Sequence, residues 1–396
     1  MDAFRFAYDP ATVVYGRECV AGLEEELAGL DCERALVVCG RTVGATAAVI
    51  DPVRAGLGER LAGVFAETTP KKDLATAHAL AERVRADDID CLVALGGGSS
   101  LDVATVARVL AAEERPYEAV LETFVERGTV PLPAAPLPAL VSVPTTLAGA
   151  ELSVGAGITA ETETGFHRGG VGDARLMPNA VYYDPALFET TPDGVLCASA
   201  MNGFDKGVES LYARTATPVT DATAMRGLAL LREGLPALGA GDRSEETLYR
   251  SLVGTMLVQY GASRGEGTTL SLVHAFGHGL RPYSIQQGDT HGVLAPHALG
   301  LLFSHVDSRR ELLAEALGVD TEGMSPEAVG EAVIEAVTEI RDALGLRTHV
   351  RTVEDLPRED LPAIAEVVAA DAFMWNCPEG FDPTLAELEA VLEAAW

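Results

Sequence analysis

Residues 90–112 constrain the fold more than any other stretch of this chain. They read D-C-L-V-A-L-G-G-G-S-S and then L-D-V-A-T-V-A-R-V-L-A-A. An apolar run of strand length stops on three glycines, and helical spacing begins at once. The same unit precedes it. A-L-V-V-C-G (35–40) is a short buried strand ending at glycine, with a helix after it to about residue 58. L-A-G-V-F-A is the next strand and 73–86 the next helix, while 20–30 also has helical spacing. Residues 3–16 alternate in part and read as one or two edge strands. P-A-L-V-S-V-P-T-T (138–146) and A-V-Y-Y-D-P (180–185) supply later strands. Strand and helix in alternation with short joints specify a parallel sheet covered by helices on both faces.

After Asp184-Pro185 the character changes. Residues 194–214, 220–235, 245–280, 292–303, 308–317, 325–344, 360–370 and 383–395 have helical periodicity, with no convincing strand pairs. The expected organisation is an α/β domain over 1–186 and an all-α domain over 187–396. The proline-rich 128–138 reads as a surface connection within the first domain.

At 396 residues the chain can build two cores. No run of eighteen apolar residues exists, and the first ten residues lack the pattern of a signal peptide. The six cysteines are scattered without C-x-x-C, as in a reduced cytoplasmic protein. The formal net charge is −30, and Lys71, Lys72 and Lys206 are the only lysines. That surface argues against nucleic acid or an anionic membrane as partner. It suits a halophilic cytosol, where salt screens self-repulsion within a few ångströms.

Two stretches carry chemistry. Gly96, Gly97, Gly98, Ser99 and Ser100 lie between a strand and a helix, where glycines let an anion approach the helix N-terminus. The stretch is a candidate diphosphate cradle, although it is not the G-x-G-x-x-G fingerprint, and its plainer reading is a tight turn. Asp102, in the first turn, is either a carboxylate matching the helix dipole or a nicotinamide-side contact. Thr145 and Thr146, at another strand end, are candidates for the same crevice. The second stretch runs from His274 to His297 and holds four of the eight histidines. His274 and His278 are four apart, so one helical face carries both, as a shared metal or substrate would require. Ordinary hydrogen bonding on a partly buried helix is the plainer reading.

G-G-G-S-S-L-D, P-T-T-L-A-G-A-E, M-N-G-F-D-K-G-V-E-S-L-Y-A, H-A-F-G-H and D-T-H-G-V-L-A-P-H-A-L, taken in order, resemble the iron-containing alcohol dehydrogenase superfamily. The likeness runs through W-N-C-P near the C-terminus, and P-T-T-L-A-G-A-E is most similar to the maleylacetate reductase branch. The resemblance implies the dehydroquinate synthase-like fold: an α/β dinucleotide-binding domain, an all-α catalytic domain and hydride transfer from a nicotinamide in the cleft between them. It also implies a homodimer acting on a small molecule.

Departures from the pattern are informative. Metal-dependent members use an Asp, a His four residues later, and two further histidines. Those positions are Asn202, Lys206, His274 and Gln287 here, so one ligand survives, with His291 four residues past Gln287 as a possible substitute. Amides are poor ligands and an ammonium is none. Gly40-Arg41 replaces the Asp that holds the adenosine ribose in many NAD-linked members, which favours NADP or tolerance of both NADP and NAD. Thr105 stands where a lysine is common.

The expectation is therefore a cytoplasmic NAD(P)H-dependent reductase of a small oxo acid or other carbonyl compound, with no metal. His274, His278 and Lys206 would be catalytic, and Asn202, Gln287 and His291 substrate-binding. Gly40, Gly96, Gly97, Gly98, Ser99, Ser100, Asp102, Thr145 and Thr146 would hold the cofactor. The alternatives are an iron-type alcohol dehydrogenase with an altered metal site and an inert nucleotide-binding protein.

Overall fold

The computed structural model describes residues 4–163 and 165–396. These form two compact units. One takes Tyr8–Thr146 and Ala150–Thr191; the other takes residues 4–7, Leu147–Gly149 and Pro192–Trp396. The division falls after Thr191, not at 186, because the short helix that opens with Pro185 stays with the strand before it.

The first unit is α/β. Its strands are β1 (Thr12–Tyr15), β2 (Ala35–Gly40), β3 (Leu61–Thr68), β4 (Cys91–Gly96), β5 (Ala139–Pro144), β6 (Gly155–Thr162), β7 (Gly165–Gly172) and β8 (Ala180–Tyr183). Its helices are α1 (Leu23–Gly29), α2 (Arg41–Ala45), α3 (Ala47–Leu57), α4 (Leu74–Ala86), α5 (Gly98–Ala112), α6 (Tyr117–Arg127) and α7 (Pro185–Phe188). Six strands make one parallel sheet in the order β1-β8-β5-β4-β2-β3. Alternate residues of the central strands enter opposite cores. Leu36, Val38, Leu92, Ala94 and Leu140 face α4 and α5, whereas Val37, Cys39, Val93, Leu95 and Val141 face α1 and α3. Burial on both faces is why these strands read as continuous apolar runs.

The chain leaves β2 towards β3 on one side and resumes at β4 on the other. The order of strands thus reverses between β2 and β4, at whose carboxyl ends stand Gly40 and Gly96. Open α/β sheets bind ligands at this switch point.

Among the described residues of 3–16, where one or two edge strands were expected, one forms, β1 at the edge of the sheet. The antiparallel hairpin β6–β7 has no counterpart in the sequence reading. Glycine replaces side chains along it for a steric reason: a Cβ on Gly169 would lie 1.9 Å from the Gly128 carbonyl oxygen. Gly169→Ala should cost about 1–3 kcal/mol by forcing that backbone apart, read as a lower urea midpoint.

The second unit is mainly helical. It contains α8 (Asp193–Tyr212), α9 (Pro218–Gly239), α10 (Glu245–Gln259), α11 (Leu272–Leu280), α12 (Gln287–His305), α13 (Arg310–Leu317), α14 (Pro326–Ala343), α15 (Leu361–Ala369) and α16 (Leu385–Ala394). It is not all-α. The helix expected over 245–280 breaks after Gln259, and a ribbon of β9 (Ser263–Arg264) and β10 (Gly267–Thr268) intervenes. Gly261 and Gly267 take φ of +83° and +138°, which an α-helix cannot contain. No helix among the described residues is long and apolar enough to cross a membrane.

Candidate active site

The glycine loop is built by the register of β4 and β5. Gly96 pairs with Pro144, and the Thr145 amide donates to the Gly96 carbonyl at 3.0 Å. Gly96 has φ +129°, so glycine is required there. Gly97 is the N-cap of α5, and a Cβ on it would meet Thr146 Cγ2 at 3.2 Å. Ser99 is half-buried in the first turn. Ser100 is buried and shares a 2.7 Å hydrogen bond with Thr68 at the end of β3. The Thr145 carbonyl accepts from the Thr191 hydroxyl at 2.7 Å. Thr68 and Gly40 are partners in register, and a Cβ on Gly40 would touch the Thr68 carbonyl at 3.4 Å.

Asp102 has a partner that sequence reasoning missed. Its carboxylate forms an ion pair with Lys72, and both side chains are largely buried. Thr105, in the position expected to carry lysine, turns its hydroxyl to the Leu101 carbonyl at 2.9 Å. The lysine beside Asp102 thus arrives from the turn before α4.

In the helical unit, Asn202, Asp205, Lys206 and Glu209 follow a spacing of three and four along α8, and all four are buried. Gly203 lets this helix approach the loop at Leu147–Gly149: a Cβ there would lie 2.3 Å from the Leu147 carbonyl oxygen. Lys206 Nζ donates to the Gly149 carbonyl at 2.9 Å and to Gln259 Oε1 at 3.1 Å. Lys206 therefore faces inward, and does not pair with Asp205 or Glu209 on the outer face of its helix.

Glu209 organises the start of α11. One oxygen accepts from the amides of Val273 (2.8 Å) and His274 (3.2 Å), and the other lies 2.5 Å from His274 Nδ1. A carboxylate at a helix N-terminus with two amide donors fixes both the helix start and the imidazole. Asp205 Oδ2 stands 3.0 Å from His291 Nδ1 and 3.6 Å from His274 Nδ1. The two imidazoles meet edge to face with centroids 4.4 Å apart. Asp205, Glu209, His274 and His291 are each at most 3% exposed.

Burial sets the protonation of this cluster. It raises Asp205 well above the usual carboxylate range, with the Glu209 charge adding to the effect, and it raises Glu209 against the pull of its donors. It lowers His274 strongly, helped by His291 and Lys206, and takes His291 down to about 4. Both imidazoles are neutral at pH 7. Asn202 Oδ1, both Asp205 oxygens, His274 Nε2 and both His291 nitrogens make no well-directed hydrogen bond with described residues. Asp205, His274 and His291 place ligand atoms within 4.8 Å of one another, a possible cation site.

His278 is one turn past His274 but does not share its partners. Its Nδ1 is 2.8 Å from Asp371 Oδ2. Gln287 is the first residue of α12, half-buried, and its side-chain amide borders Gly277 together with His291 Nε2. His297 lies further along α12, near Arg341 and His349. Sequence reasoning missed Asp205, Glu209 and Asp371. Helical spacing from Asn202 was a signal for the first two; Asp371 had none.

Residues 10–185 match the family model described as iron-containing alcohol dehydrogenase, and residues 196–396 match the model for the C-terminal part of that family. The chain belongs to the iron-containing alcohol dehydrogenase family. It is an oxidoreductase of that family. It is 30% identical to maleylacetate reductase of Pseudomonas aeruginosa, over 89% of this chain and 90% of that one. It is 25% identical to lactaldehyde reductase of Escherichia coli (strain K12), over 97% and 98%. The fold matches sulfoacetaldehyde reductase from Bifidobacterium kashiwanohense in complex with NAD+, with a TM-score of 0.82, 16% identity and 99% of both chains covered.

Proposed function

We propose that this protein is an NAD(P)H-dependent reductase of a small oxo acid or related carbonyl compound, and that Lys206 supplies the positive charge that a metal supplies in metal-dependent relatives. The observation that carries the reading is Lys206 itself. It is buried, held by two neutral oxygens, and close enough to His274 and His291 for its charge to oppose protonation of both.

The family implies iron, and the donors here fit a resident divalent ion poorly. Asp205, His274 and His291 suffice in number. His274 Nδ1 is committed to Glu209 at 2.5 Å, so Nε2, which makes no well-directed hydrogen bond with described residues, would be its ligand atom. The Lys206 ammonium opposes a second cation in the same buried space. Asp205 Oδ2 is also 3.0 Å from His291 Nδ1, and burial raises the proton affinity of that carboxyl, which disfavours the anionic ligand a metal needs.

The glycine loop and Thr145–Thr146 hold the dinucleotide in this reading. When bound, the dinucleotide would supply hydride to the carbonyl carbon; the carbonyl oxygen would keep the C=O π pair and take a proton, giving an alcohol. Lys206 stabilises the growing oxyanion or a substrate carboxylate. Asn202 and Gln287 offer neutral amides for hydrogen bonds to the substrate. Turnover of NADPH and NADH with a panel of oxo acids and aldehydes tests the reading. Consumption with at least one oxo acid is expected; binding of cofactor without consumption by any of them would defeat it.

A second reading, an iron-type alcohol dehydrogenase with an altered donor set, rests on the Asp205–His274–His291 trio. There His274 would bind through Nε2 while Glu209 kept Nδ1.

Gly40 supports use of NADPH, since no carboxylate stands there to repel a 2′-phosphate. The contact of a Cβ with Thr68 is of ordinary length, so aspartate fits. Gly40→Asp should shift the ratio of kcat/KM values towards NADH by about tenfold, the worth of ~1.4 kcal/mol. A native enzyme that prefers NADH by about a hundredfold would contradict the assignment.

A further inference from the structure

We propose that Lys72 is a positioning residue for the cofactor: its ammonium cancels the Asp102 carboxylate below the glycine loop, and so leaves the N-terminus of α5 positive enough to accept a diphosphate. The role rests on the reductase reading, in which that loop seats the dinucleotide.

Asp102 is the fifth residue of α5, about 6 Å along the axis from the first. A helix N-terminus is worth roughly half a positive charge. One uncompensated carboxylate at that distance outweighs it, and a seat for an anion would then carry net negative charge. Lys72 changes the sum. Its ammonium is ion-paired with Asp102, and only 19% and 11% of the two side chains are exposed. Seen from the loop the pair is close to neutral, so the half charge of the helix remains. Water cannot do the same for Asp102, because a charge that is largely buried is poorly screened by solvent and salt.

A staple between the turn and α5 is the simpler use of such a pair, and the turn does not need one. The Lys72 amide donates to the Thr69 carbonyl at 3.1 Å, and the Lys72 carbonyl accepts the Thr159 amide of β6 at 2.9 Å. The Thr159 hydroxyl donates to the Lys71 carbonyl at 2.6 Å. Asp73 then caps α4 by accepting the Ala75 amide at 2.7 Å. These bonds hold the turn on both sides. Lys72 itself takes φ +53°, a left-handed conformation that glycine or asparagine adopts at lower cost. A lysine there, one of three in 396 residues, is accounted for by what its ammonium does.

Equilibrium titration of the full chain with NADPH and with NADH, followed by nicotinamide fluorescence, tests the role in the native protein, Lys72→Met, Asp102→Asn and the double variant. Methionine keeps most of the lysine stem and removes the charge. Kd for both nucleotides should rise on the order of tenfold in Lys72→Met. Asp102→Asn leaves the ammonium unpaired beside the seat, and Kd should fall by about threefold or more. The double variant should recover most of the Lys72→Met loss, since neither charge remains. A staple predicts another order: both single variants melt lower and neither changes Kd. A direct contact between Asp102 and the nicotinamide predicts weaker binding in Asp102→Asn. Either result would overturn the proposal, as would native Kd in Lys72→Met. If Lys72→Met does not fold, Asp102→Asn decides alone, tighter binding supporting the role and equal or weaker binding contradicting it. A native protein that binds neither nucleotide defeats the reductase reading and this role with it. Native binding with the wrong order among the variants defeats this role alone.

Discussion

Lys206→Ala should lower kcat for carbonyl reduction by on the order of a hundredfold and leave a folded protein. An ammonium fixed in a dry site requires little reorganisation as negative charge develops, and such groups contribute several kcal/mol to the barrier. Lys206 is held in place by Gly149 and Gln259, so the charge is preorganised. Its removal also frees the buried Gly149 carbonyl and Gln259 Oε1, which costs about 1–3 kcal/mol of stability. Lys206→Met separates the two effects, since it retains the apolar stem and lacks only the ammonium. Both variants should lose turnover alike, with the methionine protein melting closer to native. A Lys206→Met enzyme with native kcat would remove Lys206 from the chemistry.

Gly97→Val should abolish cofactor binding in a protein that still folds. The backbone at Gly97 has φ −86° and ψ 178°, which valine adopts without strain. The damage is confined to the space above the N-terminus of α5, where the Cβ already presses on Thr146 at 3.2 Å and the two γ-methyls fill the approach a diphosphate needs. Titration followed by nicotinamide fluorescence should show affinity weakened by at least about a hundredfold, or ~2.8 kcal/mol. Native affinity for NADPH and NADH in this variant would place the cradle elsewhere.

The parallel sheet was legible in the sequence because strands buried on both faces leave uninterrupted apolar runs, and A-L-V-V-C-G and C-L-V-A-L-G are such runs. The hairpin β6–β7 was not, because six glycines across it leave little alternation to read. The break after Gln259 was hidden for the opposite reason. Apolar and small residues, interrupted by Arg264 and Glu266, continue through 260–273, and the positive φ of Gly261 and Gly267 excludes a helix there.

The site was half legible. His274, His278, His291 and Lys206 carry side chains that are conspicuous in this composition, lysine above all. Asp205 and Glu209 are not, since acidic residues on a helix of an acidic protein read as solvated surface. Their roles emerge from α11 and α12 packing across α8, which only the fold supplies. Asp371 is 93 residues from His278 and Lys72 is 30 from Asp102, so neither pair leaves a local trace.

In the proposed reductase, Lys206 and not a metal ion meets the negative charge of the reduced carbonyl. Metal content and NAD(P)H-dependent reductase activity of the purified native protein, measured before and after exhaustive chelation, test it directly. Substoichiometric iron and zinc are expected, with activity unchanged by chelation. One equivalent of iron or zinc per chain, with activity lost on chelation and restored by adding the metal back, would contradict it and assign Asp205, His274 and His291 as ligands.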